Sequence, residues 1–149
     1  MLPFAIVRRA EERVVGSTRF AGIEWWSWPD GSPHSGRVTP DVCEIGYTWL
    51  AASAMRSEVN TNAKLLLLDH AFGTRDVHAV RIRTDARNEP SRRAIERLGF
   101  SLDGVVRAER VAVDGSVRDS ALYSVTRDEW PAVRTRLDAL VGHAHDPAP

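Results

Sequence analysis

Lysine is almost absent from this chain: of its 20 basic residues, every one but Lys64 is arginine. Basic and acidic residues each number 20, so the formal net charge is zero and no global field draws the protein to nucleic acid or a membrane surface. Arginine-rich usage suits phosphate recognition, although genome composition produces the same bias. Cysteine is limited to Cys43, which excludes an intramolecular disulfide and fits a reducing compartment. With no histidine near it in sequence, Cys43 reads as a buried structural thiol rather than a nucleophile. No stretch approaches the ~20 apolar residues that a membrane span needs. The N-terminal run meets Arg8 and Arg9 too soon for a signal peptide, so a cytoplasmic protein is expected. No Ser-His-Asp set is visible, and His143 and His145 amount to half a metal site, lacking a third ligand. What remains is ordinary globular composition, 43% hydrophobic and 27% charged over 149 residues. That is one domain with a real core, expected over residues 1–141 with a flexible tail at 142–149.

Residues 4–7 and 14–20 read as strands joined by a polar turn. Residues 22–42 form a long Gly-, Pro- and Ser-rich loop carrying Trp25, Trp26 and Trp28, which either face a substrate or cap the edge of the core. The richest pattern spans 44–72. Ile45, Tyr47 and Trp49 alternate with Glu44, Gly46 and Thr48, as in a strand. A polar loop with Arg56 comes next, then an apolar helix opening at Asn60-Thr61 and carrying Leu65 to Leu68. A strand that feeds a loop and a helix N-terminus is a ready anion site. The first N–H groups of the helix lack intrahelical partners, and its dipole favours negative charge. Residues 80–84 form a second strand, β-branched on one face. Asn88 caps the next helix, with Pro90 in its first turn and Gly99 as terminator. Ala94, Ile95 and Leu98 are its apolar stripe. Arg92, Arg93 and Arg97 form a solvated face, or alternatively a phosphate patch. Asp114-Gly115-Ser116 closes a hairpin between strands over 105–113 and 120–125. Thr126 and Glu129 match a capping box, and Pro131 fits the first turn of a helix beginning near Asp128.

In order and spacing, several segments form a fairly specific pattern: Val14-Val15-Gly16-Ser17, Glu44-Ile45-Gly46-Tyr47, Asn88-x-x-Ser91, Leu98-Gly99-Phe100, the hairpin from Asp114 to Asp119, and Tyr123-Ser124. By these the chain resembles the GNAT superfamily of acetyl-CoA-dependent N-acetyltransferases, and within it the branch of Rim-type ribosomal-protein alanine acetyltransferases. The resemblance covers most of the chain. It implies an α+β fold: a mixed, mostly antiparallel central sheet with helices on both faces, shortened at the N-terminus by the usual first strand and helical pair. The wall that such a pair provides for the acceptor is then partly absent. A start further upstream, the tryptophan loop with a partner subunit, or loss of activity would each account for that.

The resemblance also implies chemistry. Acetyl-CoA is the cosubstrate, without a metal, and its acetyl group passes directly to a primary amine on a protein N-terminus or a small molecule. The thioester arm enters where the strand holding Thr48, Trp49 and Leu50 splays from the strand 80–84. Its amides satisfy unpaired backbone groups there, and a backbone N–H near Trp49 or Leu50 polarises the carbonyl. The phosphate loop of the family usually reads Gln/Arg-x-x-Gly-x-Gly/Ala. Here it is Arg56-Ser57-Glu58-Val59-Asn60-Thr61, with Val59 and Thr61 in place of small residues and Asn60 or Thr61 available to cap the helix. Ile95 stands where many members carry a tyrosine acid. The hydroxyl of Ser91, following Asn88, is left to hydrogen-bond the departing thiolate, or merely to satisfy a backbone group. Glu44 either takes the amine proton through water or pairs with an arginine at the strand edge. The alternative is a non-catalytic acyl-CoA-binding or assembly domain. Neither nucleic acid nor membrane is an expected partner, and exposed apolar sheet predicts a homodimer.

Overall fold

The computed structural model describes residues 1–142, so His143 and His145 lie outside the described residues. Its order is β1 (Leu2–Arg8), β2 (Arg13–Glu24), β3 (Val42–Leu50), α1 (Val59–Asp69), β4 (Ala79–Asp85), α2 (Glu89–Arg97), β5 (Ser101–Val111), β6 (Val117–Thr126) and α3 (Trp130–Gly142). One six-stranded sheet runs β1-β2-β3-β4-β6-β5, antiparallel throughout except for the β3–β4 pair. The mixed, mostly antiparallel sheet is the expected one.

Alternation along β4 sets the layers. Val80, Ile82 and Thr84 are buried, whereas Arg81 and Arg83 point the other way. Beneath the apolar face lie Leu67, Leu68 and Phe72 of the α1 segment, Ile95 of α2, and Val133 and Leu137 of α3, with Tyr123 and Val125 of β6. The helices also touch each other: Arg97 of α2 donates to Thr61 of α1 (3.3 Å), and Arg136 of α3 donates to the Arg97 carbonyl (2.8 Å). Helices were expected on both faces. All three described helices gather on one, and the other face is left to polar pairs such as Glu24–Arg81. This also revises the expected solvated arginine face of α2. Arg92 donates to the Tyr123 hydroxyl (3.0 Å), which in turn donates to Glu96 (2.7 Å).

The Asn88 side chain accepts from the Ser91 N–H (3.1 Å) with a proline in the first turn of α2, and Gly99 takes the left-handed φ of +100° just past its end. Glu129 accepts from both the N–H and the hydroxyl of Thr126 (2.8 and 2.9 Å) ahead of α3. Gly115 supplies a φ of +81° in the β5–β6 turn. Cys43 is buried, and burial pushes its thiol up to about 12, so it is inert packing.

The long loop between β2 and β3 is organised by Asp41. Its carboxylate accepts from the Trp26 N–H (2.7 Å) and from the Trp28 indole (2.9 Å). Trp28 packs against His34 and His78, while Trp25 and Trp26 stay exposed. Trp28 is thus half-buried within its own loop and against His78, rather than packed on the main core. The loop joins the end of β2 to the start of β3, where Val42 pairs with Ala79, the first residue of β4.

Candidate active site

β3 and β4 pair only at Val42↔Ala79, Cys43↔Val80 and Glu44↔Arg81, and then part. Two features of β3 set the direction of its side chains. Between its pairings Arg19↔Gly46 and Ser17↔Trp49 it contains one residue more than β2, and Tyr47 adopts a φ of +52°. This is a β-bulge, which bends a strand and re-aims its side chains. The strict alternation expected of Ile45, Tyr47 and Trp49 therefore fails. Beyond the bulge Thr48 and Leu50 join Ile45 on the helix face, and Tyr47 and Trp49 are turned out, 57% and 62% exposed. Gly16 lies opposite Leu50, where any Cβ would collide with the Trp49 carbonyl, so the close approach of β2 to the bulged strand requires glycine.

The parted strands leave a cleft of about 650 Å³, walled by β3, β4, the start of α1 and the start of α2. Of the residues singled out from sequence, Thr48, Leu50, Asn60 and Ser91 line it. The Ser91 hydroxyl has no protein partner among the described residues, so it is not consumed by a backbone group. Asn88 shapes the cleft indirectly, by capping the helix that carries Ser91.

The α1 end differs from expectation. The helix begins at Val59, with Glu58 at the capping position and no side-chain cap. Neither Asn60 nor Thr61 caps it, because both already lie within its first turn. Ser57 does part of that work instead, donating to the Ala54 carbonyl (2.7 Å) and accepting from the Val59 N–H (3.4 Å). The N–H groups of Asn60 and Thr61 keep no protein partner among the described residues, which is the donor set an anion needs. Val59 packs with Ile6, Val15 and Ala54 in a small second core, which gives a packing reason for a bulky residue in this loop. The Thr61 side chain is buried, accepting from Arg97. Arg56 is exposed at a φ of +57° with no partner among the described residues.

Glu44 sits where the strands divide, on the face away from the helices. One of its oxygens takes the Arg83 guanidinium at 2.7 Å, and Arg83 also pairs with Glu109 of β5. The strand-edge ion pair weighed from sequence is thus present, while the second Glu44 oxygen remains without a protein partner among the described residues. Burial raises the Glu109 carboxyl, but its hydrogen bonds and Arg83 outweigh that and hold it below the usual range.

In the sequence Lys64 stands out only as a compositional oddity. It lies one turn beyond Asn60 on the same helix face, 5% exposed, with Nζ donating to Thr48 Oγ1 at 2.8 Å; Thr48 Oγ1 in turn meets Thr18 Oγ1 at 2.9 Å. Its i+4 spacing from Asn60 was the available signal. Among the described residues no group of three His, Cys, Asp or Glu side chains is arranged to hold a metal, and no helix is long and apolar enough to cross a membrane.

Residues 1–101 match the acetyltransferase (GNAT) domain family. The chain belongs to the GNAT family. A crystal structure of a GCN5-related N-acetyltransferase from Brucella melitensis superposes with a TM-score of 0.77 at 29% identity, covering 93% of this chain and 56% of that one. Mycobacterium smegmatis RimJ in complex with CoA-disulfide gives a TM-score of 0.70 at 25% identity, covering 88% and 56%. In sequence, the Bacillus subtilis (strain 168) protein named "Putative ribosomal N-acetyltransferase YdaF" is 34% identical over 87 residues, 58% of this chain and 46% of that protein. The chain spans about half the length of this curated relative. In this GNAT chain the parted β3 and β4 and the capped α2 occupy the positions that the resemblance in sequence implied.

Proposed function

We propose that this protein is an acetyl-CoA-dependent N-acetyltransferase that passes the acetyl group directly to a primary amine, on a protein N-terminus or a small molecule. The observation that carries the proposal is the cleft where β3 leaves β4, in a chain of the GNAT family. A pantetheine arm has amides that pair with strand groups, and the edge of β3 beyond Glu44 has no β4 partner. The free N–H groups at the start of α1, with Arg56 in the loop before it, suit a pyrophosphate. A backbone N–H near Trp49 or Leu50 is the proposed oxyanion donor.

In this reading the cleft acts mainly by holding amine and thioester together, which lowers the barrier without a covalent enzyme intermediate. The attacking amine must be neutral. Its proton passes through water to Glu44, whose orientation is fixed by Arg83. As the tetrahedral intermediate collapses, the C–S bond breaks and the Ser91 hydroxyl donates to the thiolate. The acceptor enters from the open face of the sheet, where Tyr47 and Trp49 are exposed; the protein is a cytoplasmic homodimer that covers part of that face.

A second reading, a non-catalytic acyl-CoA binder, draws on the ion pair that ties Glu44 to Arg83. Two measurements separate these. Calorimetric titration with acetyl-CoA gives saturable binding under either reading, and no binding at millimolar ligand rejects both. CoA release with a panel of amines and N-terminal peptides then decides: a saturable acceptor establishes the transferase, and binding without release leaves the non-catalytic domain.

A further inference from the structure

Lys64 is the only lysine of the chain, and it stands in the cleft as a buried amine with a single hydrogen bond among the described residues, to Thr48. Of the polar groups lining the same cleft, Thr48 touches Lys64, whereas Tyr47 of β3, Arg83 of β4 and Ser91 of α2 stand elsewhere on its walls, and Arg97 is turned onto Thr61. None of these is negatively charged, and among the described residues no carboxylate pairs with Lys64. An ammonium buried without a counter-charge is expensive, so burial brings a neutral fraction of this amine within reach near neutral pH. Burial pulls the pKa of Lys64 down to about 8. A neutral amine that gives one N–H to Thr48 still has its lone pair. It shares the cleft with Ser91 and with the free edge of β3 assigned to the thioester arm.

We propose that Lys64 is a self-acetylation site, modified by the acyl thioester bound in its own cleft; this rests on the acetyl-CoA reading. The step balances without any further reagent. The Nζ lone pair attacks the acetyl carbon, a C–N bond forms and the C–S bond breaks. CoA leaves as a thiolate and takes up the proton that Nζ loses, so amine plus acetyl-CoA gives amide plus CoA thiol. Acetylation removes the buried cation and fills part of the cleft, so the modified chain holds the coenzyme less tightly. The modification is therefore self-limiting.

The test uses the full chain with isotope-labelled acetyl-CoA, read by intact mass and peptide mapping, with calorimetric titration of CoA on the same sample. Because the chain has no other lysine, any acetyl-lysine is Lys64, and peptide mapping separates it from the N-terminal amine of Met1. The expected result is one acetyl group on Lys64, formed at a rate that saturates with acetyl-CoA and falls when CoA competes. That rate should rise about tenfold per pH unit below the amine pKa and level off above it. Lys64→Arg, folded as judged by circular dichroism, should stay unlabelled at this position. CoA binding without label on Lys64 overturns this inference and leaves the coenzyme reading standing, whereas absence of binding overturns both. Labelling that grows linearly with acetyl-CoA and ignores CoA overturns it too, since that is chemical acylation rather than chemistry in the cleft.

Discussion

The two ends of β3 treat buried charge in opposite ways. At the closed end Asp41, 1% exposed, accepts from the Trp26 N–H and the Trp28 indole, with Arg37 and His78 at 3.5 and 3.4 Å. Burial alone would raise its pKa; those donors and cations outweigh it and hold the carboxyl below the usual range. At the open end Lys64, 5% exposed, has one hydrogen bond and no counter-charge among the described residues. A buried charge ringed by partners serves the fold. One left short of them costs stability and keeps its bonding capacity for a ligand. The same strand thus anchors a loop at one end and opens the candidate cleft at the other.

The contrast can be broken at either end. Asp41→Ala should have the largest effect, losing about 4 kcal/mol of stability because donors packed around the carboxylate are stranded; a thermal melt reads it. The loss of the native contribution should also appear in acid. A carboxyl whose folded pKa is depressed stabilises above its unfolded value and loses that stabilisation as pH falls through the folded one. Lys64→Met should go the other way and stabilise the protein by up to about 3 kcal/mol at pH 7, while weakening coenzyme binding. The sign comes from the proton balance. Between about pH 8, where folded Lys64 titrates, and the ordinary lysine value, the unfolded chain holds a proton that the folded chain has released. Wild-type stability therefore rises with pH through that window, and the advantage of methionine should vanish by about pH 11 in denaturant titrations. A methionine variant less stable than wild type at pH 7 would mean that the two ends are alike.

The site roles are smaller and sharper. Glu44→Gln should lower kcat/KM about a hundredfold if Glu44 is the proton acceptor. A loss of stability with unchanged turnover would instead make it only the partner of Arg83. Ser91→Ala should lower kcat about tenfold with little change in melting temperature, the worth of one hydrogen bond to a developing thiolate. Unchanged activity in both variants removes both assignments.

Most of the fold was legible because its signals are local. Asn88 with Pro90, the Asp114-Gly115 turn and the pairing of Thr126 with Glu129 each act over three or four residues, and each forms the cap or turn that its chemistry dictates. Part of the candidate site was legible for the same reason: Ser91 follows its cap, and Asn60 lies in the first turn of a helix that follows a strand. Alternation misled at Tyr47. A bulge arises from the register of β3 against β2, and no pattern within β3 reports it. Val59 stood out as a missing glycine in the loop, yet its reason to be there is contact with Ile6 and Val15, some fifty residues away in sequence.

The sequence by itself determined where the helices and strands begin and end to within a few residues, the single inert thiol and the family pattern. Periodicity, capping and turn chemistry are properties of neighbouring residues. Only the tertiary structure decided where β3 parts from β4, which face Thr48 and Trp49 take, and that the one lysine loses its water and finds no carboxylate among the described residues. Strand register, burial and counter-charge are set by segments that meet only when the chain has folded.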